Sequence, residues 1–402
     1  MFEIRGKYAT AVCYASVAAD NAVEQIRRMC DCEFTAGCTV RIMPDVHAGK
    51  GCTVGTTMTV KDKVVPNIVG VDIGCGMYTV NLGTDRIDLE MFDRACHNIP
   101  SGRNVREIPA EDFDLSSLRC SGILVEKRRL AGSLGTLGGG NHFIEIDRSD
   151  SGTNYLVIHT GSRNLGKQVA EYYQKIAVDL NRGGDEYYHA VTALVEEYKA
   201  EGRQKEIEKA LRELKRMYTE KITSVPQELC WLEGRYFEDY LHDIEICQQF
   251  AGRNRELIAE DILGQCGLTA YDSFHTIHNY IDTKEMILRK GAIAAHQGER
   301  ILIPINMRDG SILATGRGNR EWNQSAPHGA GRLLSRSQAK ETLTIEEYRK
   351  SMEGIYTSSV CPQTLDEAPM AYKSIDVILN DIGETADVQE IIRPVYNFKA
   401  AD

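Results

Sequence analysis

Apolar positions along this chain fall in short runs. Residues 64–71 are predominantly apolar, and the pattern over 61–82 predicts strand, loop, strand, with Gly74 and Gly76 bracketing a tight bend. Phe143-Ile144-Glu145-Ile146 reads as a strand. So does Tyr155-Leu156-Val157-Ile158, which runs into His159-Thr160-Gly161-Ser162-Arg163. From Val191 to Lys221, Leu and Ile recur near helical spacing among Lys and Glu, the signature of a long solvated helix packed by one stripe. Residues 234–263 predict a helix or helix pair. Beyond 285 the pattern returns to short strands and glycine loops as far as Gly331, and helix signals reappear over 336–352. Residues 85–125 carry no clear period.

The segment Ala9 to Ala19 follows Arg5 and Lys7 and has the outline of a weak signal peptide. It contains no Leu, Ile or Phe, so an opening strand or helix is the preferred reading. No apolar stretch approaches the ~18 residues that a membrane span needs. With 42% hydrophobic and 26% charged residues, the composition is that of a globular protein. The twelve cysteines are scattered, which suits a reducing, cytoplasmic setting and buried thiols rather than a disulfide scaffold. Cys30-Asp31-Cys32 with Cys38 lacks a second half for a zinc site. A net charge of −11 argues against wrapping long nucleic acid, yet leaves room for a local basic cleft gripping an RNA end.

Five short segments set a polar ligand type beside glycine or at the end of an apolar run. They are Asp72-Ile73-Gly74-Cys75-Gly76, Asn141-His142, His159, His278-Asn279, and Pro327-His328-Gly329-Ala330-Gly331-Arg332. Singly, each suits a buried thiol, a turn carboxylate or a hydrogen-bonded histidine. Together they suggest a metal site, and on donor chemistry alone Cys with imidazole points first to zinc. His328 differs: Pro327 restrains the backbone before it, and Gly329 and Gly331 leave room for a phosphate or nucleotide. An imidazole is a competent nucleophile toward phosphorus. The run Gly135-Thr136-Leu137-Gly138-Gly139-Gly140 could cradle phosphate through backbone N–H groups, although no Gly-Lys-Ser/Thr follows as in a Walker loop. The histidines and glycine loops spread from 45 to 332 with helices between them and no linker. One composite domain with a site built from distant segments is the expectation.

These segments, in this order, resemble the RtcB family of RNA ligases. The resemblance is carried by Pro44-Asp45-Val46-His47-Ala48-Gly49-Lys50-Gly51, by residues 69–77, by residues 134–145 and by His159 to Arg163. It continues through His278-Asn279-Tyr280, Arg289-Lys290-Gly291-Ala292, Pro327 to Arg332, and Met370-Ala371-Tyr372-Lys373. It implies an α+β fold: mixed sheets around a central metal cleft, in a single domain over 1–402 with a helical insertion at about 165–265. It implies two manganese ions held by Asp72, Cys75, His142, His159 and His278, with Cys75 bridging, in place of zinc. It implies that His328 takes GMP from GTP, that GMP passes to an RNA 3′-phosphate, and that a 5′-hydroxyl end displaces it. A 2′,3′-cyclic phosphate would first be opened at the same site.

By the same resemblance Asn141 and Asn279 contact phosphate, while Glu145, Gly329, Ala330, Gly331, Tyr372 and Lys399 belong to the nucleotide pocket. Asp45 is the candidate to orient His328, and Arg163 to contact RNA phosphate. The chain departs from the family pattern at Pro304-Ile305-Asn306-Met307-Arg308-Asp309-Gly310, where some members read Pro-Gly-Ser-Met-Gly; there Asn306 or the backbone is expected to substitute. The segments before Asp45 and over 85–130 look short, implying a reduced RNA-contacting surface. Substrates in the family include tRNA halves and damaged RNA, and some members use an archease-type activator; monomer and dimer both fit. Two rival readings use the same residues: a dinuclear metal phosphoesterase with His328 as proton donor, and a catalytically idle RNA-binding relative.

Overall fold

The computed structural model describes residues 1–49, 51–217 and 225–400. Lys50 and the end of the predicted helix at 218–221 lie outside the described residues. Two sheets dominate, and the fold is α+β as expected. The first has six strands in the order Phe2–Arg5, Thr10–Cys13, Val40–His47, Val54–Thr59, Ile287–Lys290, Asn279–Asp282. Neighbours are antiparallel except Thr10–Cys13 with Val40–His47. The second has eight strands. Seven run Asp272–Ile277, Gly76–Gly83, Asn154–Thr160, Phe143–Arg148, Ala386–Phe398, Gly310–Gly316, Arg300–Asn306, and Tyr356–Thr357 adds in parallel to Ala386–Phe398.

The two sheets meet edge to edge at one residue. Asp272–Ile277 ends the second sheet, Asn279–Asp282 opens the edge of the first, and His278 lies between them. Side chains alternate along each strand. In Phe143–Arg148, Ile144 and Ile146 pack on Leu156, Ile158 and the helices Leu89–Asn98 and Gly234–Cys266. The alternation sends Phe143, Glu145 and Asp147 to the other face. Register puts Phe143 opposite His159 and Glu145 opposite Asn397.

Helices Arg163–Asp179, Asp185–Ala200, Ile207–Met217 and Gly234–Cys266 follow the strand Asn154–Thr160. Gly234–Cys266 has 33 residues, about 50 Å at 1.5 Å per residue, and ends on left-handed Gly267. Its first half packs in one core through Tyr240, Ile244, Cys247 and Phe250, its second half in another through Ile258, Ala259 and Ile262. At the changeover sit two fully buried polar residues, Asn254 and Arg255.

Several elements differ from the sequence expectations. The apolar run 64–71 is not a strand: only Lys63–Val64 pairs, and Pro66–Val69 forms a helical turn. Proline is preorganised for the first helical position, and a short buried apolar run does not by itself separate strand from helix. The stretch from Val191 is two helices, broken at Glu201-Gly202-Arg203 with Gly202 at φ 72°. Residues 234–263 belong to one helix. The signals over 336–352 are two short helices, Arg336–Thr342 and Ile345–Ser351, each started by a capping box. Within Ala9 to Ala19, Thr10–Cys13 is a strand of the first sheet.

Gly76 opens a strand so close to its neighbour that an added Cβ would lie 2.5 Å from the Thr276 carbonyl oxygen and 2.8 Å from Ile277 Cα. Backbone cannot retreat there as a flexible side chain would. Gly76→Ala is therefore expected to destabilise the protein by about 1–3 kcal/mol, read as a lower melting temperature. An unchanged melting temperature would contradict this packing.

Candidate active site

The second sheet delivers His159 from the end of Asn154–Thr160, and the sheet junction delivers His278. The loop before Gly76–Gly83 brings Asp72 and Cys75, and the glycine loop before Phe143–Arg148 brings His142. Their donor atoms converge. Cys75 Sγ lies 3.2 Å from His159 Nε2 and 3.6 Å from His142 Nε2. His159 Nε2 is 3.4 Å from His278 Nε2, and His142 Nε2 is 2.9 Å from Asp72 Oδ2. Close approach of Asp72 depends on Gly161, whose missing Cβ would stand 2.2 Å from Asp72 Oδ1.

The electrostatics suit a cation. Burial holds the imidazoles of His159 and His278 well below the usual histidine range, so they are neutral donors. Burial, then the Asp72 charge, pushes the Cys75 thiol well up, a shift that a bound cation reverses. For Asp72, burial raises the carboxyl but the His142 hydrogen bond and charge prevail, holding it at about 2. His159 Nδ1 is fixed by the Asn141 carbonyl at 3.0 Å, leaving Nε2 to the cluster. One sulfur, three imidazole nitrogens and a carboxylate fit divalent transition-metal coordination.

His328 adjoins this cluster. Its ring stands 4.9 Å from that of His278, at 62°. Asp45 Oδ2 accepts from His328 Nδ1 at 2.6 Å and from its backbone N–H at 3.1 Å. Asp45 is fully buried, so the carboxylate fixes the ring and leaves Nε2 to the cleft. The turn closes tightly over this pair: Gly331, at φ 75°, would place a Cβ 2.6 Å from the Asp45 carbonyl oxygen.

The cleft holds about 660 Å³ and is lined by His159, His278 and His328 together with Glu145, Tyr372 and Lys399. In its wall Lys399 Nζ donates to Glu367 Oε2 at 2.7 Å, and Tyr372 donates to the same oxygen at 2.7 Å. Lys399, Arg336 and these hydrogen bonds overcome burial and hold Glu367 well below the usual carboxylate range. Glu145 receives a hydrogen bond from Asn397, yet burial dominates and its carboxyl is raised to about 7.

The family model described as tRNA-splicing ligase RtcB matches residues 25–125 and 122–400. The chain belongs to the RtcB family. Its relatives include RNA-splicing ligase RtcB1 of Escherichia coli, 29% identical with 90% of each chain covered. RNA-splicing ligase RtcB of Escherichia coli K12 is 28% identical, again over 90% of each. tRNA-splicing ligase RtcB of Aeropyrum pernix is 27% identical over 83% of this chain and 82% of that one.

For this RtcB chain the structure brings Asp72, Cys75, His142, His159, His278, Asp45 and His328 into one locality. Asn141, Glu145, Asn279, Gly329, Ala330, Gly331, Tyr372 and Lys399 all line the cleft. Arg163 does not line it: its Nε donates to Thr136 Oγ1 at 3.2 Å and its Nη2 to the Gly102 carbonyl at 2.7 Å. In the glycine run the N–H groups of Gly135 and Thr136 donate to Asn254 Oδ1 and that of Leu137 to the Pro100 carbonyl, so its first half is not open to cradle phosphate. Asn306 lines the cleft with Pro304, Ile305 and Met307, but its side chain is committed: its Oδ1 accepts from the backbone N–H groups of Arg308 and Asp309, and its Nδ2 donates to Asp309. Arg332 turns to Tyr372 and Glu367 rather than to the space beside His328.

Sequence reading passed over Glu367, Asn397, Asn254 and Arg255. Asn254-Arg255 interrupts an apolar face that continues from Phe250 to Ile258, and that interruption is the signal.

Glu145 gives a pH test. Its folded pKa, about 7, lies above its ordinary value of 4.5, so the folded state holds the proton longer. Its contribution to stability is full below about 4.5 and is lost as pH rises through about 7, at roughly 1.4 kcal/mol per unit of difference. The melting temperature of ligand-free protein should fall between pH 5 and 8, on the order of that titration window, and Glu145→Gln should flatten the fall. Equal slopes in both proteins would refute the assignment.

Proposed function

We propose that this chain is a metal- and GTP-dependent RNA ligase that joins 3′-phosphate to 5′-hydroxyl ends through a guanylylated His328. The observation that carries this is the Asp45–His328 pair, beside the Cys75–His142–His159–His278 cluster and in a cleft also lined by Glu145, Tyr372 and Lys399. With its Nδ1 proton held by Asp45, the ring offers the Nε2 lone pair to phosphorus. Nε2 attacks the α-phosphorus of GTP, an N–P bond forms, and the bond to pyrophosphate breaks. An oxygen of the RNA 3′-phosphate then attacks the same phosphorus and frees His328, leaving RNA capped by GMP through a pyrophosphate link. The 5′-hydroxyl oxygen of the second RNA attacks the RNA phosphate, GMP leaves, and a phosphodiester remains. A cyclic phosphate end enters after hydrolysis to the 3′-phosphate.

Asp72, Cys75, His142, His159 and His278 are the residues that would hold manganese. Bound there, the metal supplies charge neutralisation at phosphate oxygens. Donor chemistry alone favours zinc; the choice of manganese rests on the family resemblance. Glu145 and Lys399 offer an acceptor and a donor at the base end of the cleft. Lys290 lines the cleft with no carboxylate partner among the described residues, its ammonium lowered by burial, and is suited to meet a phosphate.

Intact mass measurement after incubation with GTP and manganese tests the reading. One GMP should add to the parent chain and none to His328→Ala, while Asp45→Asn should slow adduct formation by about 10²–10⁴-fold, the scale of lost imidazole orientation. A metal-loaded, folded parent chain that gains no GMP overturns the ligase and favours a phosphoesterase.

A further inference from the structure

We propose that Arg255, with Asn254 beside it, is a positioning residue that sets the spacing of the metal ligands. This rests on the reading of the cysteine–histidine cluster as a metal site. Both residues are fully buried in the middle of Gly234–Cys266, where the helix passes from one apolar core to the other. Burying a guanidinium and an amide is costly, so their hydrogen bonds report what the fold needs there.

Arg255 Nη1 donates to two carbonyls at once, Gly74 at 2.7 Å and Thr160 at 2.8 Å. Gly74 precedes Cys75 and Thr160 follows His159. One nitrogen thus straddles the backbones of the two residues whose Sγ and Nε2 stand 3.2 Å apart. Asn254 does the same for a third segment. Its Oδ1 accepts from the N–H groups of Gly135 and Thr136, and its Nδ2 donates to the carbonyls of Thr136 and Gly161 at 3.1 Å each. That ties the loop leading to His142 to the backbone against which Asp72 lies. His278 is attached to the same frame, its N–H donating to the Cys75 carbonyl at 2.9 Å.

The guanidinium plane is itself fixed. Arg255 Nε donates to His275 Nδ1 at 3.3 Å, the other ring nitrogen of His275 meets Glu256 at 3.1 Å, and the ring stacks on Tyr78 at 4.5 Å. Groups that orient ligands in this way govern metal affinity without touching the metal.

The test is titration of the full-length protein with Mn²⁺ alone, and separately with Co²⁺ alone, without nucleotide. Arg255→Met should weaken Mn²⁺ binding about 10–100-fold and diminish the thiolate-to-cobalt charge-transfer absorption, and Arg255→Lys should recover part of both. Arg289 is a control of equal burial whose donors go to Tyr280, Ser325 and Asn323. Arg289→Met should lower the melting temperature yet bind Mn²⁺ within about twofold of the parent, as a merely structural arginine would. Arg255→Met binding within about twofold, with an unchanged cobalt spectrum, overturns the proposal alone. Should that variant not fold, Asn254→Ala is read by the same titration, and a change below about twofold again overturns it. A parent chain that binds neither ion overturns both this proposal and the metal reading beneath it.

Discussion

Bringing a thiol, three imidazoles and a carboxylate within hydrogen-bond distance of one another, out of water, is the constraint on which the rest of this structure depends. Apart from the Asp72–His142 pair, these groups offer one another little without a cation, and burial drives His159 and His278 neutral and the Cys75 thiol up. The scaffold must therefore hold them there. It does so where the two sheets touch: the six-residue strand ending at Ile277 and the four-residue strand starting at Asn279 leave His278 no freedom to swing away. Gly161 makes room for Asp72, and the register of Phe143–Arg148 with Asn154–Thr160 sets Phe143 edge-to-face against His159 at 5.2 Å.

The same economy governs His328. Asp45 belongs to the first sheet, His328 to a turn after the ribbon strand Ser325–Pro327, 283 residues apart in sequence. A fully buried carboxylate that binds both the ring and the backbone of one residue fixes position and tautomer together. The cleft wall around Glu367 follows a different rule. There Lys399, Arg332 and Arg336 share the Glu367 carboxylate, so each cation is held in place by a buried partner instead of standing free.

How much of this was legible in sequence follows from how locally each feature is encoded. The segments that converge beside the cleft were legible because Gly, His, Cys and Asp stand together at strand ends, where chemistry and backbone demands coincide within a few residues. Phe143–Arg148 and Asn154–Thr160 were legible because period-2 patterning is local. Residues 64–71 misled because apolarity encodes burial, not conformation, and Pro66 decided the latter. The run Gly135 to Gly140 misled for a longer-range reason: its amides looked free, but Asn254, over a hundred residues on, takes two of them. No window-based reading sees that partner. Arg255 was hidden in the same way, as one charge in a charged helix until the two cores around it were known.

These two failures point at one relation between the helix and the site. A helix that only packed two cores would be apolar at its midpoint, where both meet; this one spends two fully buried positions on an amide and a guanidinium instead. Their bonds go to backbone rather than to ligand side chains: Arg255 reaches the carbonyls of Gly74 and Thr160, and Asn254 reaches Gly135, Thr136 and Gly161. Backbone contacts fix where a loop begins and ends while leaving the ligand atoms themselves unencumbered, so that sulfur and nitrogen lone pairs stay available to a cation. The net charge of −11 is consistent with such a design. An acidic protein exerts little long-range pull on a polyanion, so under the proposed function the attraction for phosphate would have to be generated inside the cleft, by a prearranged donor set and a bound cation.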